Sequence, residues 1–106
     1  MSKNEPRLDS LHHVAVQVED IGRALKWYSE NLNAETVYSD DTWAMLRFQN
    51  IYLALVVPSQ HPPHIAIEHE GAEAFGELKK HRDGTESVYI EDSEGNTLEL
   101  MKPVTH

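Results

Sequence analysis

Residues 11–32, LHHVAVQVEDIGRALKWYSENL, decide the fold. The first eight alternate, with Val14, Val16 and Val18 on one face and His13, Ala15 and Gln17 on the other. A period of two with apolar residues on one side predicts a half-buried strand. Asp20 then supplies an N-cap, and Ile21, Ala24, Leu25, Tyr28 and Leu32 recur at helical spacing. The helix is expected to stop near Leu32, with Asn33 taking a left-handed cap.

The same beginning recurs downstream. His64-Ile65-Ala66-Ile67-Glu68 matches His13-Val14-Ala15-Val16-Gln17, 51 residues on. Ala74, Phe75 and Leu78 match Ala24, Leu25 and Tyr28, 50 residues on, which predicts a second helix. A strand match followed by a helix match in the same order points to an internal repeat. Between the two copies lie three strand-like runs, 35–39, 43–48 and 51–57, punctuated by Asp40-Asp41 and Gln49-Asn50. Pro58, Pro62 and Pro63 mark a stiff linker. The second copy ends in a hairpin, 87–90 with 97–101, turned by Asp92-Ser93-Glu94-Gly95-Asn96. Only six residues separate His81 from Val88, so the second unit is expected to be β-α-β-β, or to have one very short strand where the first unit has three.

A length of 106 residues allows one compact domain, taken as residues 1–106 with modules at about 8–57 and about 63–103. The first ten residues read as a polar, disordered arm without a signal or lipidation sequence. At 40% hydrophobic and 25% charged, the composition is that of a globular domain, and no apolar run is long enough to span a membrane. A formal charge of −9 with scattered Lys and Arg excludes a nucleic-acid partner. No cysteine means no disulfide, thiolate metal site or thiol nucleophile. A cytoplasmic protein is expected. Its one unusual count is seven histidines.

Strand parity sorts them. If the valines face the core, His13 points the other way, and Ile65 and Ile67 do the same for His64. In the last strand Leu98 and Leu100 form the core pair, which sends Glu99 to the opposite face. Two imidazoles and a carboxylate on one face suit a divalent Fe, Mn, Ni, Co or Zn ion, and three ligands leave positions open for water or substrate. His12 and His69 fall on the core side, His61 and His106 in a linker and a tail, and His81 at a helix end where it favours the dipole.

The stretches 11–32, 63–68 (PHIAIE) and 89–100 (YIEDSEGNTLEL) together resemble the vicinal oxygen chelate superfamily, which groups glyoxalase I, fosfomycin-resistance proteins, bleomycin-resistance proteins and extradiol dioxygenases. Residues 11–32 resemble the family's opening strand and its D-x-x-x-A-x-x-F/Y-Y helix. Residues 89–100 resemble its D-P-D-G-N-x-x-E-L hairpin, with Ser93 in the proline place. The resemblance covers about Leu8 to Pro103. It implies an α+β fold of two paired β-α-β-β-β modules, here with the second shortened, whose mixed sheet curls around a cavity. It also implies metal ligands at His13, His64 and Glu99.

Aligning Asn50 with Asn96 sets Leu53 against Glu99, so the second carboxylate of glyoxalase I-like sites is missing and the pattern resembles the His-His-Glu members. It departs from these too. Only Lys102 follows Glu99 as a basic residue for a phosphonate site, and the chain is too short for the dioxygenases' second histidine. Tyr89 matches a position where relatives often carry tyrosine and is the candidate catalytic group. Gln17 and Glu68 share faces with the two histidines, Glu68 as a candidate general base, and Trp43 and Arg47 are candidate pocket walls. The implied protein is a homodimer that chelates a small oxygen-rich substrate on its metal, as a lyase, isomerase, transferase or dioxygenase. Its rival is a metal-independent binding protein of the bleomycin-resistance type.

Overall fold

The computed structural model describes residues 8–81 and 84–103; most of the expected N-terminal arm, and His106, lie outside them. Eight strands form one mixed sheet in the order β2-β3-β4-β1-β5-β8-β7-β6. The first half comprises β1 (Ser10–Gln17), α1 (Ile21–Asn31), β2 (Glu35–Ser39), β3 (Trp43–Arg47) and β4 (Tyr52–Val56). The second comprises β5 (His64–Glu68), a 3-10 turn (Ala72–Phe75), β6 (Lys79–Lys80), β7 (Glu86–Glu91) and β8 (Thr97–Met101).

The two halves repeat one topology. β1 runs parallel to β4 as β5 does to β8, and β1 and β5 meet antiparallel at the centre. The expected fold is therefore present, with the short-strand version of the second half. β6 has two residues against the five of β2, and the curled sheet remains open at both edges.

The side chain of Asp20 accepts a hydrogen bond from the backbone N–H of Arg23 at 2.9 Å and so starts α1. Ile21, Ala24, Leu25 and Tyr28 then pack on Ala44, Leu46 and Leu55, with Val16 and Val18 beside them. Leu55 is fully buried there, worth about 1.5–3 kcal/mol relative to exposure. The helix ends at Leu32, which is extended, and among the described residues only glycines have positive φ, so Asn33 makes no left-handed cap.

The second helix does not form. Its residues Ala74 and Phe75 lie in the four-residue 3-10 turn, and Leu78 lies beyond it. Gly76, at φ +152°, turns the backbone out of any helix directly after Phe75. Phe75 is left half exposed, so the second half lacks the cover that α1 gives the first. With that helix goes the dipole role expected for His81, which follows β6 instead.

The sheet's other face carries a second core. Ala15, Ala54 and Val56 are buried there, with Trp43 and Met45 packed on them. Alternation along β1, β4 and β3 sends these side chains away from α1. Small residues at the centre of this face leave room for the long side chains of the neighbouring strands.

Candidate metal centre

Among the described residues, the buried polar side chains are His13, His64, Ser87 and Glu99, and all four belong to one cluster. Burying polar groups is costly, so their concentration at one point makes this cluster the candidate functional site. Three adjacent strands supply it. His13 of β1 pairs with Ala66 of β5, Ala15 of β1 pairs with His64, and Ala66 pairs on its other side with Glu99 of β8. The alanines keep the space between the longer side chains open.

His13 Nε2 and His64 Nε2 are 3.1 Å apart. Glu99 Oε1 lies 3.1 Å from His64 Nε2 and 3.4 Å from His13 Nε2. Two donors that each bind one ion at about 2.1 Å, at roughly right angles, stand about 3 Å apart. The three atoms therefore have the spacing of one face of a coordination polyhedron, and these residues fit a divalent first-row ion.

Each donor is also braced from behind. His64 Nδ1–H donates to the carbonyl of Pro62 at 2.8 Å, which turns its Nε2 inward. His13 Nδ1 and His12 Nδ1 share a hydrogen bond at 2.7 Å, and the His12 ring stacks on Tyr52. Glu99 Oε2 accepts from Ser87 Oγ at 2.7 Å, and Ser87 Oγ accepts from His81 Nε2 at 2.7 Å. Such contacts fix ring orientation and ligand basicity in metal sites. Burial works against the Glu99 carboxylate, but hydrogen bonds from His13, His64 and Ser87 outweigh it and hold its pKa well below the usual range. Burial likewise opposes charge on His64, yet the bonds to Glu99 and Pro62 raise its pKa overall.

Tyr89 pairs with Glu99 across β7 and β8 and meets the His64 ring edge-on at 5.2 Å. Partial burial, then the Glu99 charge, pushes its pKa up to about 12, so its hydroxyl is a neutral donor at ordinary pH. Trp43 lies on the apolar part of the same face, stacked on Tyr38 at 4.5 Å between ring centroids. Arg47 is paired with Glu35, its Nε 2.8 Å from the carboxylate. Gln17 is exposed at the end of β1 and Glu68 half-buried at the end of β5. His69 pairs with Asp9 at 3.0 Å, and His61 lies in the turn after Val57.

The sequence alignment of Leu53 with Glu99 is off by one. Val14 pairs with Leu53 as Ile65 pairs with Leu98, so Ala54 holds the place equivalent to Glu99. Leu53 packs on the α1 side. Neither residue offers a carboxylate. Three residues around the cluster escaped the sequence reading: His12, Ser87 and His81. Parity with Tyr89 places Ser87 on the same face, but no local pattern brings His81 back to Glu99 across the intervening turn.

The sequence profile of the Glyoxalase/Bleomycin resistance protein/Dioxygenase superfamily matches residues 10–76, more than half of the chain. The chain belongs to that superfamily. A search of curated protein sequences gives no match. Among solved structures, a hypothetical protein from Bacillus halodurans C-125 is similar with a TM-score of 0.73 at 15% identity, covering 94% of this chain and 98% of its own. A glyoxalase/bleomycin resistance protein/dioxygenase superfamily member from Vibrio splendidus 12B01 gives 0.69 at 11%, with 89% and 100% covered. A structure described as NAD-dependent benzaldehyde dehydrogenase from Legionella pneumophila gives 0.61 at 13%, with 87% and 98% covered. At these identities the likeness is one of fold, and the glyoxalase-type chain described here shares it almost end to end.

Proposed function

We propose that this protein is a metal-dependent member of the superfamily, with His13, His64 and Glu99 as the ligands of one divalent ion. The supporting observation is the triangle of inward-facing donors, 3.1 to 3.4 Å on a side, within a buried and braced cluster. A bound first-row ion supplies Lewis acidity to a small substrate that presents two adjacent oxygens. The chain's own residues do the rest. Tyr89, neutral and half exposed beside Glu99, donates a hydrogen bond to a substrate oxygen and orients it. Trp43 and Met45 hold the apolar part of the substrate over the Ala15–Ala54 floor. The reaction class is that of a lyase, isomerase, transferase or dioxygenase. Metal analysis tests the proposal: purified protein carries about one divalent ion per chain, and His64→Ala loses most of it while remaining folded.

The apolar half of the face favours a second reading, a binding protein that sequesters a small molecule without metal. Trp43 stacked on Tyr38, with Met45 beside them, offers the surface. Ligand binding that survives His64→Ala and chelation would establish it. The proposal also includes a homodimer, since among the described residues β2 and β6 are the outermost strands of the sheet and strand edges favour covering. The mass in solution decides that point.

A further inference from the structure

Ser87 and His81 are not assigned as ligands above, yet they brace the third donor. The two imidazoles are held through their Nδ1 atoms by His12 and the Pro62 carbonyl, whereas the Glu99 carboxylate, free to rotate about its broad terminal torsion, is held through Oε2. Glu99 Oε1 faces the histidines, and Oε2 accepts the Ser87 hydroxyl proton at 2.7 Å. A hydroxyl has a single proton, so with that proton on Glu99 the Ser87 oxygen takes its second bond as acceptor. The donor is His81 Nε2–H at 2.7 Å, which also stands 3.5 Å from Glu99 Oε2. The backbone fixes His81 in turn: its N–H donates to the Thr85 carbonyl at 2.7 Å, and its carbonyl accepts from Gly84 at 3.0 Å. Ser87 itself is almost fully buried and paired with Met101, so it has no other place to go.

We propose that Ser87 and His81 form a two-link strap that positions Glu99 to present Oε1 alone to a bound cation. Both are positioning residues, acting through Glu99, and the assignment rests on the ligand set proposed above. Without the strap, Oε2 loses its partner and the carboxylate turns, either away from the histidines or onto the ion through both oxygens. Affinity and coordination geometry both change in that case. The two links differ in consequence: losing Ser87 removes the contact to Glu99, and losing His81 frees Ser87 to rotate.

Cobalt(II) titration of the metal-stripped protein, followed by visible absorption, tests the strap, because the ligand-field bands report geometry as well as affinity. Ser87→Ala is expected to weaken cobalt binding by about 10–100-fold and to shift the bands. Ser87→Thr keeps the hydroxyl and retains both. His81→Ala, at a side chain 36% exposed, weakens binding by a smaller factor, and His81→Gln, which keeps an N–H donor, restores it. Wild-type binding matched by both alanine variants, with unchanged bands, overturns the strap and leaves the metal reading standing. Wild-type protein that binds no cobalt overturns the metal reading and the strap with it. Should Ser87→Ala fail to fold, the His81→Ala and His81→Gln pair alone decides.

Discussion

His13 and His64 are related by the pseudo-two-fold axis between β1 and β5: His13 faces Ala66, Ala15 faces His64, and the two Nε2 atoms meet 3.1 Å apart. The internal repeat thus brings its two equivalent histidines to the axis itself. Only one of the two halves then adds a carboxylate, Glu99, while the other carries Ala54 at the equivalent position.

That asymmetry can be reversed. Ala54→Glu adds a carboxylate where symmetry places it beside His13 and His64. The variant is expected to bind cobalt at least as tightly as the parent, with altered ligand-field bands. Its metal-stripped form melts lower, because a buried unpaired carboxylate is costly. Unchanged bands would mean that Ala54 does not face the ion.

Stability of the metal-stripped protein should depend on pH through the His64–Glu99 pair. His64 has a folded pKa raised above its ordinary 6.5, so its contribution is fully present below 6.5 and is lost as pH rises through the folded value. Glu99 has a folded pKa depressed below its ordinary 4.5, so its contribution is present above 4.5 and is lost as pH falls through the folded value. Melting temperature therefore peaks at about pH 4.5–6.5 and declines toward alkaline pH. His64→Gln removes the His64 part of that decline; an identical slope in the variant would contradict the pairing. Cobalt affinity runs the other way, rising with pH as the competing proton leaves.

Tyr89 should ionise only at high pH. Absorbance near 295 nm is expected to include a phenol titrating at about pH 12, a component absent from Tyr89→Phe. Cobalt affinity is expected to stay unchanged in that variant, since the role proposed for Tyr89 is to orient substrate and not to ligate. A tenfold loss of affinity would assign it a different role.

Gly76→Ala tests why the second helix is absent. The backbone there is at φ +152°, and an added Cβ would stand 3.1 Å from Val88 Cγ2. The substitution is expected to destabilise the fold by about 1 kcal/mol or more, measured by urea unfolding. A neutral result would remove the conformational explanation for the 3-10 turn.

Most of the sheet, α1 and the shared face of His13, His64 and Glu99 were legible in the sequence because strand parity has period two and needs only the correct register. Val14, Val16 and Val18 oriented His13, the repeat carried the same logic to His64, and Leu98 with Leu100 oriented Glu99. What failed depended on backbone conformation or long-range geometry. Ala74, Phe75 and Leu78 have helical spacing, but Gly76 breaks the chain before a turn of helix can extend. Aligning the two turns through Asn50 and Asn96 missed a one-residue difference that the pairing of β4 and β8 reveals. His81 reaches Glu99 through Ser87 and stands 3.5 Å from its Oε2, a contact across three segments that no local pattern encodes.

Anomalous diffraction at the cobalt edge, from crystals of cobalt-loaded protein, tests the central claim most directly. The account predicts one strong peak per chain, about 2.0–2.2 Å from His13 Nε2, His64 Nε2 and Glu99 Oε1. A peak elsewhere on the chain, or none at this cluster at full cobalt loading, would contradict it.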